Sequence, residues 1–188
     1  MYYYLHGLIT MHSKDSIVVE CSGVGYEAVV SHPEDFPIGE TMFVFTCLYT
    51  HEDEQYLVGF KTIEEKELYN QLVSVAGIGP KTAISILSAS SLYRLKDAIN
   101  RGDTFYLTSL PGIGRKNASQ IILDLKGKLS DDDLTASSGE KNLDLAYDGL
   151  KGLGFKAGEI KSAFNEIGER NLSVEEYVTR ALRILNRR

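Results

Sequence analysis

The spacing of hydrophobic positions changes character once, near residue 60. Before that point, apolar and β-branched residues come in short runs: Tyr2–Thr10, Ser16–Cys21, Tyr26–Val30, Met42–Thr50 and Gln55–Phe60. Turn-forming clusters separate them, "SGVG", "HPEDFPIGE" and "HEDE", which predicts five strands joined by tight connections. Five short strands with no helix between them fit a small closed or half-closed barrel.

After Phe60 the period becomes helical. In "TIEEKELYNQLVSVAG", Leu68, Leu72 and Val75 fall on one helix face, and Gly77 ends the pattern. Further helices are predicted at Lys81–Ser88, Ser91–Asn100, Thr104–Ser109 and Arg115–Lys128. The stretch "SDDDLTASSGEK" is acidic, small and polar, and is expected to be a flexible linker. Beyond it, Leu143–Leu150, Lys156–Ile167 and Val174–Leu185 read as a three-helix module, the last opened by a Ser173/Glu176 capping box. So small a core tends to leave apolar groups near its surface for a partner. The chain is thus expected to be an α+β multidomain protein: a barrel over 1–61, an all-α domain over 62–129, a linker over 130–141 and a helical module over 142–188.

Charge divides the chain in the same way. The net charge is -6, but residues 1–60 hold -8, residues 61–130 hold +4 and residues 131–188 hold -2. The central helical segment alone is cationic, a mild footprint for a polyanionic partner.

That segment contains a repeat. "SVAGIGPKTAISIL" and "SLPGIGRKNASQII" align at an offset of 35 residues, pairing Gly77 with Gly112, Ile78 with Ile113, Gly79 with Gly114 and Lys81 with Lys116. Each copy lies between one helix end and the next helix start. Its first glycine permits a left-handed backbone, its isoleucine is expected to point inward, and its second glycine lets a ligand approach the backbone. A helix N-terminus with open N–H groups follows at once, which makes an anion site out of backbone. Phosphate is therefore expected to meet Gly77, Ile78, Gly79, Lys81 and Thr82 in the first copy and Gly112, Ile113, Gly114, Arg115 and Lys116 in the second. The loop amides of Ile78, Gly79, Ile113 and Gly114 are the expected donors. Such contacts carry no base information.

The doubled "GIGxK" is the tandem helix-hairpin-helix pattern. With "GVGYEAVV" and "EDEQYLVGF" ahead of it and a three-helix tail behind, the whole chain resembles the RuvA family, DNA-binding subunits of the bacterial Holliday-junction branch-migration complex. The resemblance implies an OB-fold barrel, a homotetramer that holds four-way junction DNA open and flat (one or two tetramers per junction), and recruitment of the hexameric ATPase RuvB. It also implies the resolvase RuvC as a partner, a cytoplasmic location, and roles in recombination and repair. "THEDEQ" matches the family's acidic pin, which implies Glu52 and Asp53 in that role with Glu54 as an extra charge. The tail matches the motor-binding domain, implying contacts from Leu150, Leu153, Phe155 and Leu182. One departure stands out: the family's barrel usually carries basic residues near its start, whereas here that stretch is "MYYYLHGLI" and Lys14 is the single cation in sixty residues.

Other chemistries fit less well. A helix-hairpin-helix glycosylase would use Lys116 as a Schiff-base nucleophile, but the acids downstream, Asp131–Asp133, fall in the polar linker and no four-cysteine cluster follows. "GIGPKT" is too short for a P-loop, so no ATP hydrolysis is expected. His6, His12, His32 and His51 show no ligand spacing, and no metal or cofactor is expected. Cys21 and Cys47 read as plain buried thiols of a reducing compartment. No basic leader and no apolar run of membrane-spanning length is seen in the sequence.

Overall fold

The computed structural model describes residues 2–51, 54–129, 138–168 and 172–186, the side chains of 138–141 and 157 excepted. It contains two compact units, Met1–Lys128 and Leu129–Arg188.

The first unit opens with a closed barrel of β1 (Tyr4–His12), β2 (Ser16–Cys21), β3 (Val24–Val29), β4 (Thr41–His51) and β5 (Glu54–Phe60), in the order β1-β2-β3-β5-β4. Neighbours are antiparallel except β3 and β5, which run parallel. This is the OB-type Greek-key barrel. Alternation along the strands sends Leu5, Ile9, Ile17, Val19, Ala28 and Val44 inside. A register shift between Ile9 and Met11 lets β1 bend from β4 to β2. The same alternation puts Cys21 on the inner side with Ile17 and Val19, packed against the core, and Cys47 on the outer side; both are half-buried rather than buried as expected. Cys47 donates to Asn70 Oδ1 (3.3 Å), and burial pushes its thiol pKa up.

Five helices follow in the same unit: α1 (Ile63–Ser74), α2 (Pro80–Ala89), α3 (Leu92–Arg101), α4 (Thr104–Ser109) and α5 (Arg115–Leu125). The last ends three residues earlier than the periodicity suggests, where Gly127 takes a left-handed φ of 76°. Leu68, Leu72, Ile86, Leu95, Leu107 and Ile121 are fully buried. The barrel and helices are stitched together through α1. Phe60 and Tyr69 rings lie 4.9 Å apart. Lys66 Nζ donates to the Tyr3 carbonyl (3.2 Å) and lies over the Tyr3 ring. Glu65 accepts from the Ser31 hydroxyl (2.5 Å) and the Lys61 amide (3.0 Å).

The second unit comprises α6 (Ser138–Gly152), α7 (Ala157–Ile167) and α8 (Val174–Leu185). Helix α6 begins five residues before the expected Leu143, inside the segment expected to be linker. Between Gly139 and Leu143 the chain holds Glu140, Lys141 and Asn142, with no breaker to stop a helix growing backwards. Residues 130–137 lie outside the described residues. Its core is small: Leu150, Ile160, Ala163 and Ala181 form one cluster, and Ala146, Leu172 and Tyr177 another.

Candidate nucleic-acid interface

Each repeat folds as helix, turn, helix. In the first, the Ile78 amide donates to the Val75 carbonyl (3.0 Å), closing a four-residue turn with Gly77 in its third place at φ 91°. In the second, the Ile113 amide donates to the Leu110 carbonyl (3.3 Å), with Pro111 second and Gly112 third at φ 75°. A positive φ at the third position and proline at the second are the type II signature. The isoleucine side chains are buried, at 4% and 6% exposure.

This corrects one expectation. The amides of Ile78 and Ile113 are bonded within the turn and are not open to an outside anion. The available donors lie one step further on. Gly79 and Gly114 are the N-caps of α2 and α5, and neither helix has a side-chain cap. The contrast within the chain is plain: Thr62, Ser91, Asp103 and Ser173 each accept a first-turn amide of α1, α3, α4 and α8. At α2 the amides of Lys81 and Thr82, and at α5 those of Arg115, Lys116 and Asn117, have no intrahelical acceptor. Pro80 at the first position of α2 contributes no N–H. The helix dipole adds positive potential at both sites.

The two glycines of each repeat do different work. Gly77 and Gly112 have left-handed backbones that disfavour any side chain. Gly79 and Gly114 have φ of -91° and -86°, which any residue adopts, and a Cβ built on either meets nothing within 4 Å. Nothing in the protein's own packing requires glycine there. What the missing side chain spares is space outside the chain, directly over the open amides.

The repeats also hold each other. Asn117 Nδ2 donates to the Gly77 carbonyl (3.4 Å). A Cβ on Gly112 would lie 3.1 Å from Thr82 Cγ2, and one on Gly77 would lie 3.1 Å from Asn117 Oδ1. Thr82 and Asn117 are equivalent at the 35-residue offset, as are Gly77 and Gly112. Each hairpin therefore lays its third helical residue on the other's first glycine, a reciprocal packing that sets the two N-termini side by side. Sequence reading assigned Asn117 no role, although the repeat alignment pairs it with Thr82.

Lys81, Arg115 and Lys116 are exposed. Lys81 Nζ donates to Glu54 Oε1 of the barrel (3.1 Å), and that partner holds the lysine's pKa above its ordinary value. No sequence signal announces this pair, which spans 27 residues. Lys116 sits in the open at a helix start, without the desolvation a Schiff-base lysine needs. Glu52 and Asp53 lie outside the described residues. Of the tail positions, Leu150 is fully buried against Ile160, Ala163 and Ala181, so it is a core residue and not a surface contact. Phe155 and Leu182 are partly buried on the same cluster, and Leu153 is 65% exposed. Among the described residues no group of His, Cys, Asp or Glu is placed to hold a metal, and no helix is long and apolar enough to cross a membrane.

An OB-type barrel followed by two packed helix-hairpin-helix motifs with open, glycine-capped N-termini defines a DNA-backbone-binding class of protein. Residues 1–59 match the RuvA N terminal domain and residues 69–127 the SAM-like Helix-hairpin-helix tandem. The chain is 38% identical over 199 residues to a protein of Limosilactobacillus reuteri, covering 99% of this chain and 100% of that one. It is 38% identical to one of Ruminiclostridium cellulolyticum (98% and 100% covered) and 41% identical to one of Acholeplasma laidlawii (89% and 90%). All three are named Holliday junction branch migration complex subunit RuvA. The chain belongs to the RuvA family.

Proposed function

We propose that this protein binds four-way DNA junctions through their phosphates and serves, without catalysis of its own, as the DNA-holding subunit of a branch-migration complex. The observation that carries the reading is the pair of uncapped helix N-termini behind Gly79 and Gly114, where the missing Cβ atoms open the backbone to an outside ligand. Both sites accept an anion, and together they fit two phosphates of one duplex arm. Lys81, Arg115 and Lys116 add charge to the same contacts, and Thr82 supplies an amide. Because the donors are mostly backbone, a chain of net charge -6 holds a polyanion without a strongly basic surface.

Junction selectivity comes from assembly. Four copies in a ring present eight hairpins to four arms, and a second ring can cover the opposite face. Exposed aromatic and aliphatic residues of the barrel, among them Tyr4, Leu8 and Phe43, supply apolar surface for such self-association. Glu52 and Asp53 of each copy meet at the centre and repel strands into separate arms. The tail presents Leu153, with Phe155 and Leu182 beside it, to the ATPase RuvB. The resolvase RuvC acts on the same junction, and the work is done on cytoplasmic DNA in recombination and repair.

The deciding experiment is a gel shift of a four-way junction against linear duplex of equal length over a salt series. Tighter binding of the junction, falling steeply with salt, is expected. Equal binding of the two substrates would reduce the protein to a generic duplex binder.

A further inference from the structure

The two repeat lysines are not equivalent. Lys116 makes no ion pair among the described residues, whereas Lys81 is held by Glu54. Glu54 is the first residue of β5, paired across the β4–β5 turn with His51. Two residues on, Tyr56 packs its ring 4.9 Å from that of Tyr49. The Tyr56 hydroxyl is buried with no hydrogen-bond partner, and the Tyr56 phenol lies close enough to Lys81 to feel its charge. The lysine thus reaches from the first hairpin onto a small patch of barrel built from Glu54, Tyr56 and Tyr49.

A carboxylate oxygen offers the ammonium what a phosphate oxygen offers, an anionic hydrogen-bond acceptor near 3 Å. Both members of the pair are well exposed, at 75% and 55% of the side chain, so the contact is weak enough to exchange and open enough for a phosphate to reach.

We infer that Glu54 is a resident surrogate for DNA phosphate: it occupies Lys81 in the free protein and is displaced when the first hairpin takes a strand. The barrel then sets the strength of the first hairpin, while the second hairpin engages freely. This rests on the reading of the repeats as phosphate sites. A competing partner lowers apparent affinity by the fraction of Lys81 left free, and the displaced carboxylate also repels the incoming phosphate. Neutralising it should tighten binding by about two- to fivefold at low salt, given the range for exposed pairs.

The experiment is a double-mutant cycle on junction affinity with the full-length protein: wild type, Glu54→Gln, Lys81→Ala and the double variant, with Glu40→Gln as a control carboxylate on the barrel. Glu54→Gln is expected to tighten binding in the wild-type background and to change it less than about twofold when Lys81 is absent. Glu40→Gln is expected to do little in either. The inference is overturned if Glu54→Gln leaves affinity unchanged, or tightens it equally without Lys81, since the charge would then act at large. A separate outcome, Lys81→Ala and Lys116→Ala both binding like wild type, would remove the phosphate-site reading itself and this inference with it.

Discussion

Asn117 reaches across 40 residues of sequence to donate from Nδ2 to the carbonyl of Gly77, the first glycine of the other hairpin. At the equivalent place in the repeat, Thr82 lies against Gly112. The hairpins are therefore one unit, and the first glycine of each is held by both its backbone and its neighbour. Replacing Gly77 or Gly112 with alanine should destabilise the first unit by about 1–2 kcal/mol from the left-handed backbone alone, with more where the neighbour cannot yield. Urea unfolding should show a lower midpoint at unchanged m-value. A midpoint equal to wild type would mean that the turn had found another geometry.

The second glycines should behave in the opposite way. Serine at positions 79 and 114 fits the backbone there and is a favoured N-cap. The double variant Gly79→Ser, Gly114→Ser should melt at or above the wild-type temperature while binding DNA at least tenfold more weakly. Its hydroxyls would occupy first-turn amides and fill the approach. Undiminished binding would show that the strand does not come near these residues.

Lys81→Ala and Lys116→Ala should each weaken junction binding far more than Lys14→Ala, because Lys14 stands alone on an acidic barrel. Each lost phosphate contact should flatten the slope of log K against log salt by about 0.9. Lys116→Ala is expected to cost more than Lys81→Ala, since Lys81 must first leave Glu54. A gel-shift series in which all three variants lose equally would reject the hairpins as the main grip.

Glu65 couples stability to pH. Burial holds its carboxyl above the usual range against the opposing hydrogen bonds from Ser31 and Lys61. The folded state therefore binds its proton more tightly than the unfolded state, so this group's contribution to stability falls as pH rises from near 4.5 through the folded pKa, then levels. Glu65→Gln keeps an acceptor for the Lys61 amide and turns the other atom into a donor that the Ser31 hydroxyl oxygen can accept, and should abolish that dependence with little loss near neutral pH. Glu65→Ala leaves the Lys61 amide without its acceptor and removes the Ser31 hydroxyl's bond to the carboxylate, and should cost about 1–3 kcal/mol. Denaturation curves at several pH values would separate the three proteins.

In the tail, Leu150 and Leu153 should part company. Leu150→Ala removes a fully buried side chain from a small core and should destabilise the second unit by about 2–5 kcal/mol. Leu153→Ala changes an exposed position and should leave folding intact while reducing stimulation of the partner ATPase. Loss of helical signal from the Leu153 variant would place it in the core instead.

Much of this was legible beforehand because it is local. Strand alternation, helical spacing and the glycine punctuation of the repeat all act over a few residues, and they placed the barrel and the hairpins closely. The parts that escaped depend on distance or on geometry. That the Ile78 amide closes its own turn was signalled only through the repeat, where Pro111 and Gly112 stand at the type II positions of the equivalent loop. The Glu54–Lys81 pair joins a barrel strand to a helix start, and nothing in either segment's pattern points to the other. The early start of α6 at Ser138 escaped because a polar, charged run has no apolar period from which to read a helix, even when its residues tolerate one.

The closed turns at Val75–Ile78 and Leu110–Ile113 have a thermodynamic consequence. With their own carbonyls already capturing the isoleucine amides, the loops are set before any strand arrives. A rigid receptor of this kind surrenders little further freedom on association, so contacts made by the neighbouring glycine and first-turn amides translate almost undiluted into residence time on DNA.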